Sequence, residues 1–189
     1  AAAPAPILAA MARFALSAVG RDRPGIVAAV SGVLADHGLN IEDSRMTILG
    51  GHFTMMLIVS APPGLDAEAL RSDLGAAAGD LSLEAVSLSE VAEDAPPEDP
   101  PSHILSVYGA DHPGIVRAVS SALAERRVNI TDLETRLTAG DGERPLYVMM
   151  LEVRLPPSLS EAALEEALAG VAREQGLDLT VRPLEPDVL

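Results

Sequence analysis

GRDRPGIVAAVSGVLADHGLNIEDSRMT, residues 20–47, recurs 89 positions later as GADHPGIVRAVSSALAERRVNITDLETR, residues 109–136. Fourteen of the 28 aligned positions are identical, and they include turn-forming and polar residues as well as apolar ones. Because a repeat of this spacing marks tandem structural units, we expect two domains of roughly 80 to 90 residues each. The shared residues include Gly20/Gly109, Asp22/Asp111, Pro24/Pro113, Gly25/Gly114, Asn40/Asn129, Ile41/Ile130 and Asp43/Asp132.

The remaining sequence divides around these two repeats. We expect a flexible tail at 1–11, a first domain at 12–91, a second domain at 102–184 and a short C-terminal tail at 185–189. The segment AEDAPPEDPP, residues 92–101, holds four prolines and four carboxylates. This composition favours an extended linker between the domains.

Composition excludes several classes of protein. The chain has 28 acidic and 13 basic residues, a formal net charge of -15, two Phe, two Tyr and no Trp. Direct binding to nucleic acid needs a basic face and, for single strands, stacking aromatics, so we expect none. There is no cysteine, and no apolar run approaches the roughly 20 residues of a membrane span. We expect a cytoplasmic protein that does not enter a membrane.

The first repeat predicts the element order βαββαβ. A strand at Arg13–Val19 precedes a helix that starts at Pro24 and ends at Gly38. Leu39–Leu49 and His52–Ser60 form a hairpin around Gly50-Gly51, which supplies the positive φ angles of a tight turn. Asp66 caps a second helix that runs to about Ala78, and Leu81–Val91 is the last strand. Apolar residues on both sides of His52–Ser60 indicate a central strand covered on both faces, by helices and by the sister domain, with a lipid or cofactor cavity as the alternative.

The second repeat predicts the same order. Its strands are His103–Tyr108, Val128–Thr138, Leu146–Leu155 and Leu177–Arg182, and Pro113–Arg126 is its first helix. The hairpin is five residues longer, around Gly140-Asp141-Gly142, because Phe53 aligns with Tyr147 at an offset of 94. The spacing Ser158-Leu-Ser-Glu161 is typical of a capping box for the second helix. The predicted fold class is α+β, with two four-stranded antiparallel sheets that each carry two helices on one face.

Catalytic motifs are absent from the sequence. It has no HExxH, GxSxG, Walker loop or GxGxxG, so we expect a non-enzymatic protein with no cofactor and no metal. The four histidines, at 37, 52, 103 and 112, lack ligand spacing and are interpreted as surface residues. Asp111-His112 could form an acid-base pair, but the first copy has Asp22-Arg23 in its place.

The loop after the first strand supports two interpretations. In the structural one, Asp22 or Asp111 caps the helix, proline starts it, and Gly25 or Gly114 allows close approach of a neighbouring strand. In the functional one, exposed helix N–H groups hold a small carboxylate, the aspartate meets an ammonium group, and the asparagine of the next strand adds donors and acceptors. A zwitterionic amino acid would suit such a site.

With this element order and a D-x-P-G-I-V loop in each half, the chain resembles a tandem of ACT domains, which are small ferredoxin-like modules that bind amino acids and regulate enzymes or transcription. NIEDSRMTILGGHFTMMLIVS, residues 40–60, is similar to the glycine cleavage system transcriptional repressor family. Similar segments occur in phosphoserine phosphatases and formyltetrahydrofolate deformylases, whose catalytic domains this sequence does not contain.

The resemblance implies an effector site at an interface between domains, formed by the loop after the first strand and the start of the second strand. The mismatch of Ser44-Arg45 with Leu133-Glu134 leaves open whether one site is empty or serves protein contact. The implied ligand-binding residues are Asp22, Pro24, Gly25, Ile26, Asn40 and Ile41 in the first copy and Asp111, Pro113, Gly114, Ile115, Asn129 and Ile130 in the second.

The function implied is that of a regulator that senses a small amino acid, glycine or a similar one, and acts on a DNA-binding transcription factor. A regulatory subunit of a metabolic enzyme is the alternative. A homodimer is compatible with both, and the sequence does not decide the oligomeric state.

Overall fold

The computed structural model describes residues 12–91, 99–138 and 145–184. The chain divides between residues 96 and 97 into two compact units, called here the first and the second unit. The predicted tails, residues 92–98 of the predicted linker and the predicted loop at Gly140–Gly142 lie outside the described residues. The domain boundaries given above remain predictions.

Each unit has the predicted βαββαβ order. The elements of the first unit are β1 (Arg13–Arg21), α1 (Ile26–Asp36), β2 (Asn40–Leu49), β3 (His52–Ser60), α2 (Ala67–Asp80) and β4 (Leu83–Val91). Those of the second unit are β5 (His103–Ala110), α3 (Ile115–Glu125), β6 (Asn129–Thr138), β7 (Leu146–Arg154), α4 (Glu161–Gln175) and β8 (Leu177–Pro183).

The strands of each unit form one antiparallel sheet. The strand order is β2-β3-β1-β4 in the first unit and β6-β7-β5-β8 in the second. Alternate residues of β1 and β3 are buried, as expected for strands that pack one face on helices. The predicted α+β, ferredoxin-like class is therefore confirmed.

The two cores use corresponding positions of the repeat. In the first unit the side chains from β1, α1 and β3 meet those of α2, and in the second unit the equivalent elements do the same. Burial of each Leu, Ile or Phe side chain stabilises the fold by about 1.5–3 kcal/mol relative to exposure. The largest fully buried side chains are Leu16, Ile26, Leu34, Phe53, Leu70, Leu105, Ile115, Leu123, Met149, Leu151, Leu164 and Leu168.

Strand β3 is an inner strand of its sheet, but helices of its own unit cover only one side of it. Phe53 and Met55 face the helices and are buried, whereas Met56 on the opposite side is 54% exposed. In the second unit Met150 is exposed in the same way. Within each unit, helices thus cover one side of this strand, and cover of the other side by the sister domain stays a prediction.

The helix starts differ from the predicted ones for local reasons. Asp66 caps α2 as predicted, because its side chain accepts hydrogen bonds from the backbone N–H groups of Glu68 and Ala69. The predicted capping box at Ser158 is wrong: Ser160 caps α4, and its side chain accepts from Ala163 N. A turn in which Leu159 N donates to Pro156 O delays the start of the helix past Ser158.

Candidate functional site

The loop between β1 and α1 is shaped by a glycine with positive φ. Gly25 has a φ of 100° and stands directly before α1, and its carbonyl accepts the first helical hydrogen bond from Ala29 N at 2.9 Å. This conformation is unfavourable for residues that carry a Cβ, and it moves the helix start from the predicted Pro24 to Ile26. A Cβ at Gly25 would meet no atom within 4 Å. The glycine is therefore needed for the conformation of the turn. The structural interpretation, in which it allows close approach of a neighbouring strand, does not hold for Gly25.

Asp22 does not cap the helix. No side chain accepts a hydrogen bond from the first turn of α1, while the backbone N–H of Asp22 donates to Gly51 O at 2.9 Å. Asp22, Pro24 and Gly25 are exposed. The loop therefore presents a carboxylate beside helix N–H groups that no side chain caps, which is the arrangement that the functional interpretation requires.

The loop of the second unit repeats this geometry. Gly114 has a φ of 104°, its carbonyl accepts from Ala118 N at 2.9 Å, and no side chain caps α3. Asp111, Pro113 and Gly114 are exposed. The two copies thus place the same four-residue turn at the head of their first helix.

His112 fixes the second loop to the end of α4. Its Nε2 lies 3.0 Å from Gln175 O, and its Nδ1 lies 3.2 Å from Pro113 O. In the first unit the aligned Arg23 reaches Ser82 Oγ, beyond the end of α2, at 3.5 Å. The side chain after the loop aspartate therefore contacts the end of the second helix in both units, which gives His112 a positioning role that its sequence context did not predict.

Two of the predicted ligand-binding residues belong to the core. Ile26 is 1% exposed and Ile115 is 2% exposed. Each begins the buried stripe of its helix, with Val30 and Val119 one turn further on. Their main function is therefore packing, although Ile115 also lines the wall of a cavity described below.

The predicted asparagine lies at the other end of the sheet from the loop. Asn40 pairs with Ser60 at the last position of β3, whereas Arg21, which leads into the loop, pairs with His52 at the first. Eight residue steps along a strand span roughly 26 Å. The first unit by itself therefore does not bring Asp22 and Asn40 together. The second unit likewise separates Asp111 from Asn129, because Asn129 pairs with Arg154 at one end of β7 and Ala110 pairs with Leu146 at the other.

A β-bulge follows the Asn-Ile pair in each unit. The register shifts between Ile41 and Asp43 in β2 and between Ile130 and Asp132 in β6. In the first unit the extra residue is Glu42, which accepts a hydrogen bond from Arg13 Nε at 2.9 Å. In each unit the bulge interrupts the backbone hydrogen bonds between the two hairpin strands next to this isoleucine. Ile41 is 39% exposed and Ile130 is half-buried.

A concavity lies beside the first helix of each unit, and the two differ. The groove of the first unit has a volume of about 180 Å³ and is mainly apolar. The groove lies where α1 leaves the helix-facing side of β2 uncovered. Of the six ligand-binding residues predicted for the first copy, it includes Ile41. Its lining includes Val27, Ser31, Ile41, Arg45, Met46 and Leu57.

The cavity of the second unit lies at the loop end of α3 and has a volume of about 530 Å³. Small-molecule sites are commonly about 300–1,000 Å³ in volume, a range that includes this cavity and not the groove of the first unit. Among the predicted residues it includes Gly114 and Ile115. Its lining includes His112, Gly114, Ile115, Arg117, Ser120 and Tyr147.

Arg117, Ser120 and Tyr147 were not identified from the sequence as site residues. The signal that could have indicated two of them is a difference between the copies, because Arg117 aligns with Ala28 and Tyr147 with Phe53. Comparison of the repeats for identity selects the shared loop and overlooks polar residues that only one copy carries.

The hydroxyl of Tyr147 sits in a nonpolar setting close to a carboxylate. Burial raises the pKa of Tyr147 above its ordinary value of 10.0, and the nearby charge of Asp111 raises it further, while a side-chain hydrogen bond with Thr135 acts in the opposite direction. Tyr147 Oη also lies 3.8 Å from Met149 Sδ, which accepts its hydrogen bond. Tyr147 is therefore a neutral hydroxyl at physiological pH and can donate or accept at the cavity wall.

This shift predicts a loss of stability in alkali. Tyrosine in the unfolded chain ionises at its ordinary pKa, whereas Tyr147 in the folded chain keeps its proton to higher pH. The contribution of the protonated Tyr147 to the free energy of unfolding is therefore complete below pH 10.0 and is lost as the pH rises through the pKa of the folded state. We expect urea unfolding from about pH 8 to about pH 11 to show a steeper fall in the free energy of unfolding for the unmodified chain than for Tyr147→Phe. Tyr108→Phe, which removes the other tyrosine, should retain the steep fall; equal slopes for the unmodified chain and Tyr147→Phe would contradict the assignment.

The described residues contain no group of three or more His, Asp or Glu side chains placed to hold a metal ion. Within the same part of the chain, none of the helices is both long and apolar enough to span a membrane.

Comparison with known proteins identifies the domain family of the two units. The ACT domain family model matches residues 13–87 in the first unit and 103–166 in the second. The glycine cleavage system transcriptional repressor of Escherichia coli is 29% identical over 160 residues, which are 84% of this chain and 83% of that protein. Phosphoserine phosphatase SerB2 of Mycobacterium tuberculosis is 30% identical over 169 residues, 88% of this chain but 39% of the phosphatase.

A protein of unknown function from Galdieria sulphuraria has a solved structure that superimposes with a TM-score of 0.80 at 32% identity, covering 93% of this chain and all of that one. The element order, the glycine-containing loop and the family match thus agree in both units. The chain belongs to the ACT-domain family and carries one ACT domain in each unit.

Proposed function

We propose that this chain is a cytoplasmic, non-enzymatic sensor of glycine or a similar small amino acid, and that it represses transcription by contacting a DNA-binding transcription factor. The observation that carries the proposal is the similarity to the glycine cleavage system transcriptional repressor over more than four-fifths of both chains. The two loops add a chemical reason, since each combines an exposed aspartate with uncapped helix N–H groups.

The proposed chemistry follows from the charges of a zwitterion. The carboxylate of the amino acid would meet the backbone N–H groups at the start of α1 or α3, which favour an anion. The ammonium group would meet Asp22 or Asp111. Gly25 and Gly114 add no side chain to the loop, which leaves room for a ligand with a small side chain.

Charge supports action through a protein partner. The formal net charge of -15 opposes direct binding to DNA, which needs a basic surface to displace counterions. If the purified chain bound promoter DNA at physiological salt, the indirect mechanism would have to be abandoned.

Substitution of the loop aspartates tests the sensor. A hydrogen bond to a charged group contributes about 1.5–3 kcal/mol, so Asp22→Asn or Asp111→Asn is expected to weaken glycine binding roughly tenfold or more in the unit that binds it. Asparagine keeps the size of the side chain, and neither aspartate caps a helix, so both variants should fold normally. Isothermal titration of the full chain with glycine measures the effect, and thermal unfolding provides the check, since glycine at 100 times its Kd should stabilise the folded state by about 2.7 kcal/mol. Absence of binding by glycine, alanine and serine would refute the proposal.

A regulatory subunit of a metabolic enzyme is the second candidate. The observation that favours it is the similarity to a phosphatase of which this chain matches 39%. Affinity capture from a native extract separates the two candidates, because the first requires a transcription factor as the partner and the second requires an enzyme.

A further inference from the structure

The cavity of the second unit differs in polarity from the same region of the first unit. Arg117 occupies the first turn of α3, where α1 has Ala28, and Tyr147 replaces Phe53 at the start of the hairpin strand. The remaining cavity residues are shared, with Ser120 aligned with Ser31 and Gly114 with Gly25, except for His112, which aligns with Arg23. The substitutions place a cation on the first helix and a hydroxyl group in the cavity wall of the second unit. The cation of the first unit, Arg23, lies instead on the loop and contacts Ser82 Oγ at 3.5 Å.

Arg117 has no protein partner that would account for its charge. Within residues 12–91, 99–138 and 145–184 its guanidinium makes no hydrogen bond and no ion pair, and the side chain is exposed at the cavity mouth. Arg136 and Arg126 differ from it in this respect, because they contact the carboxylate of Glu134 and the carbonyl of Ala122 respectively. In a chain with 28 acidic residues, an arginine without a carboxylate beside it is available to bind an anion.

The other polar groups around the cavity have different charges and roles. His112 has its ring nitrogens within 3.2 Å of Pro113 O and 3.0 Å of Gln175 O, so it holds the loop close to the end of α4. Asp111 lies close to the buried hydroxyl of Tyr147, opposite in sign to Arg117. A ligand in this cavity therefore meets a cation on the helix, and the carboxylate of Asp111 lies near the Tyr147 hydroxyl of the cavity wall.

We propose that the second unit binds a dicarboxylic amino acid, of the aspartate or glutamate class, and that Arg117 determines this specificity by binding the side-chain carboxylate. The inference rests on the proposed function, because it assigns the ammonium and main-chain carboxylate of the ligand to Asp111 and to the start of α3. It goes beyond that function because it assigns a ligand class to the second unit alone. The first unit has Ala28 in place of Arg117 and so lacks this contact to a side-chain carboxylate. Arginine is suited to this role because its planar guanidinium can donate two parallel hydrogen bonds to one carboxylate.

Neutral amides of the same size measure the contribution of the charge. L-aspartate is compared with L-asparagine, and L-glutamate with L-glutamine, by isothermal titration of the full chain. Because a hydrogen bond to a charged group is worth more than a neutral one, we expect at least one acid to bind about tenfold more tightly than its amide. The preference should decrease as salt is raised, since Arg117 is exposed.

Arg117→Ala copies the residue of the first unit and is expected to remove the preference for the acid, so that acid and amide bind with similar affinity. Alanine is the most favourable helix residue, so α3 should remain folded. Arg71→Ala, on exposed α2 of the first unit, makes the same change in net charge and should leave the preference intact. Tyrosine fluorescence locates the site, because a ligand in this cavity lies beside Tyr147, and Tyr147→Phe should abolish the ligand-dependent part of the signal.

The outcomes separate this inference from the proposed function. If the chain binds glycine but shows no preference for an acid over its amide, or if Arg117→Ala keeps the preference, the inference is wrong and the sensor proposal stands. If the chain binds acids with an Arg117-dependent preference and does not bind glycine, alanine or serine, the inference stands and the glycine sensor fails. If no amino acid binds, both are wrong.

Discussion

Replacing Phe53 by alanine is expected to lower the free energy of unfolding of the first unit by about 3–5 kcal/mol. Phe53 is 2% exposed and is the largest fully buried side chain. Its removal eliminates contacts with the core and leaves a cavity that the surrounding β1 and α1 cannot fill completely. A single domain has a total stability of about 5–15 kcal/mol, so this loss is a large share of it.

Hydrogen exchange measured by mass spectrometry localises the effect. In Phe53→Ala, protection should fall in peptides from β1, α1, β3 and α2, while peptides from the second unit, which has a separate core, keep theirs. Met56→Ala is the matched control because Met56 lies on the same strand but is 54% exposed, and it should change stability by no more than about 0.5 kcal/mol. Similar losses for the two variants would contradict the assignment of the buried side of β3.

Gly20→Ala is expected to destabilise the first unit by about 1–3 kcal/mol, and Gly109→Ala is expected to cost the second unit less. A Cβ at Gly20 would lie 2.9 Å from Leu83 Cα, which is backbone and cannot move without disturbing the pairing of β1 with β4. A Cβ at Gly109 would lie 2.6 Å from Leu177 Cδ2, the end of a side chain that can rotate away, and 3.2 Å from Gly176 O. The two glycines align in the repeat, so the difference comes from packing against the last strand of each sheet.

Urea unfolding of the two alanine variants, followed by far-ultraviolet circular dichroism, measures these costs. Gly32→Ala is the control with the opposite sign, because Gly32 lies inside α1 and a Cβ there would meet nothing within 4 Å. Alanine at that position should stabilise α1 by roughly 0.5–1 kcal/mol. A larger loss for Gly109→Ala than for Gly20→Ala would show that Leu177 is less mobile than its side-chain position suggests.

The elements of the fold were predictable because they depend on local patterns. The period of apolar residues in β3 and α1, Gly50-Gly51 in the first hairpin and Asp66 at the start of α2 each indicate a local conformation that the structure confirms. The error at Ser158 is also local. Two serines offer similar caps, and the Pro156 turn, formed by a hydrogen bond that no periodicity reveals, selects Ser160.

The candidate site was less predictable, since its geometry depends on distances across the sheet. The sequence places Asp22 and Asn40 18 residues apart and both beside α1, but the antiparallel register puts them at opposite ends of β3. In the same way, Arg117 and Tyr147 are 30 residues apart and line one cavity because β7 begins at the loop end of α3.

The sequence by itself determined that the chain contains two βαββαβ units with the same glycine-containing loop, because dihedral preferences and apolar periodicity act within a few residues of the chain. Tertiary structure alone decided that the loop and the asparagine are separated within a unit, that Ile26 and Ile115 pack in the core, and that the cavity of the second unit is larger than the groove of the first. These properties depend on strand register and on which side chains a helix leaves uncovered, and both are set by contacts between residues far apart in sequence.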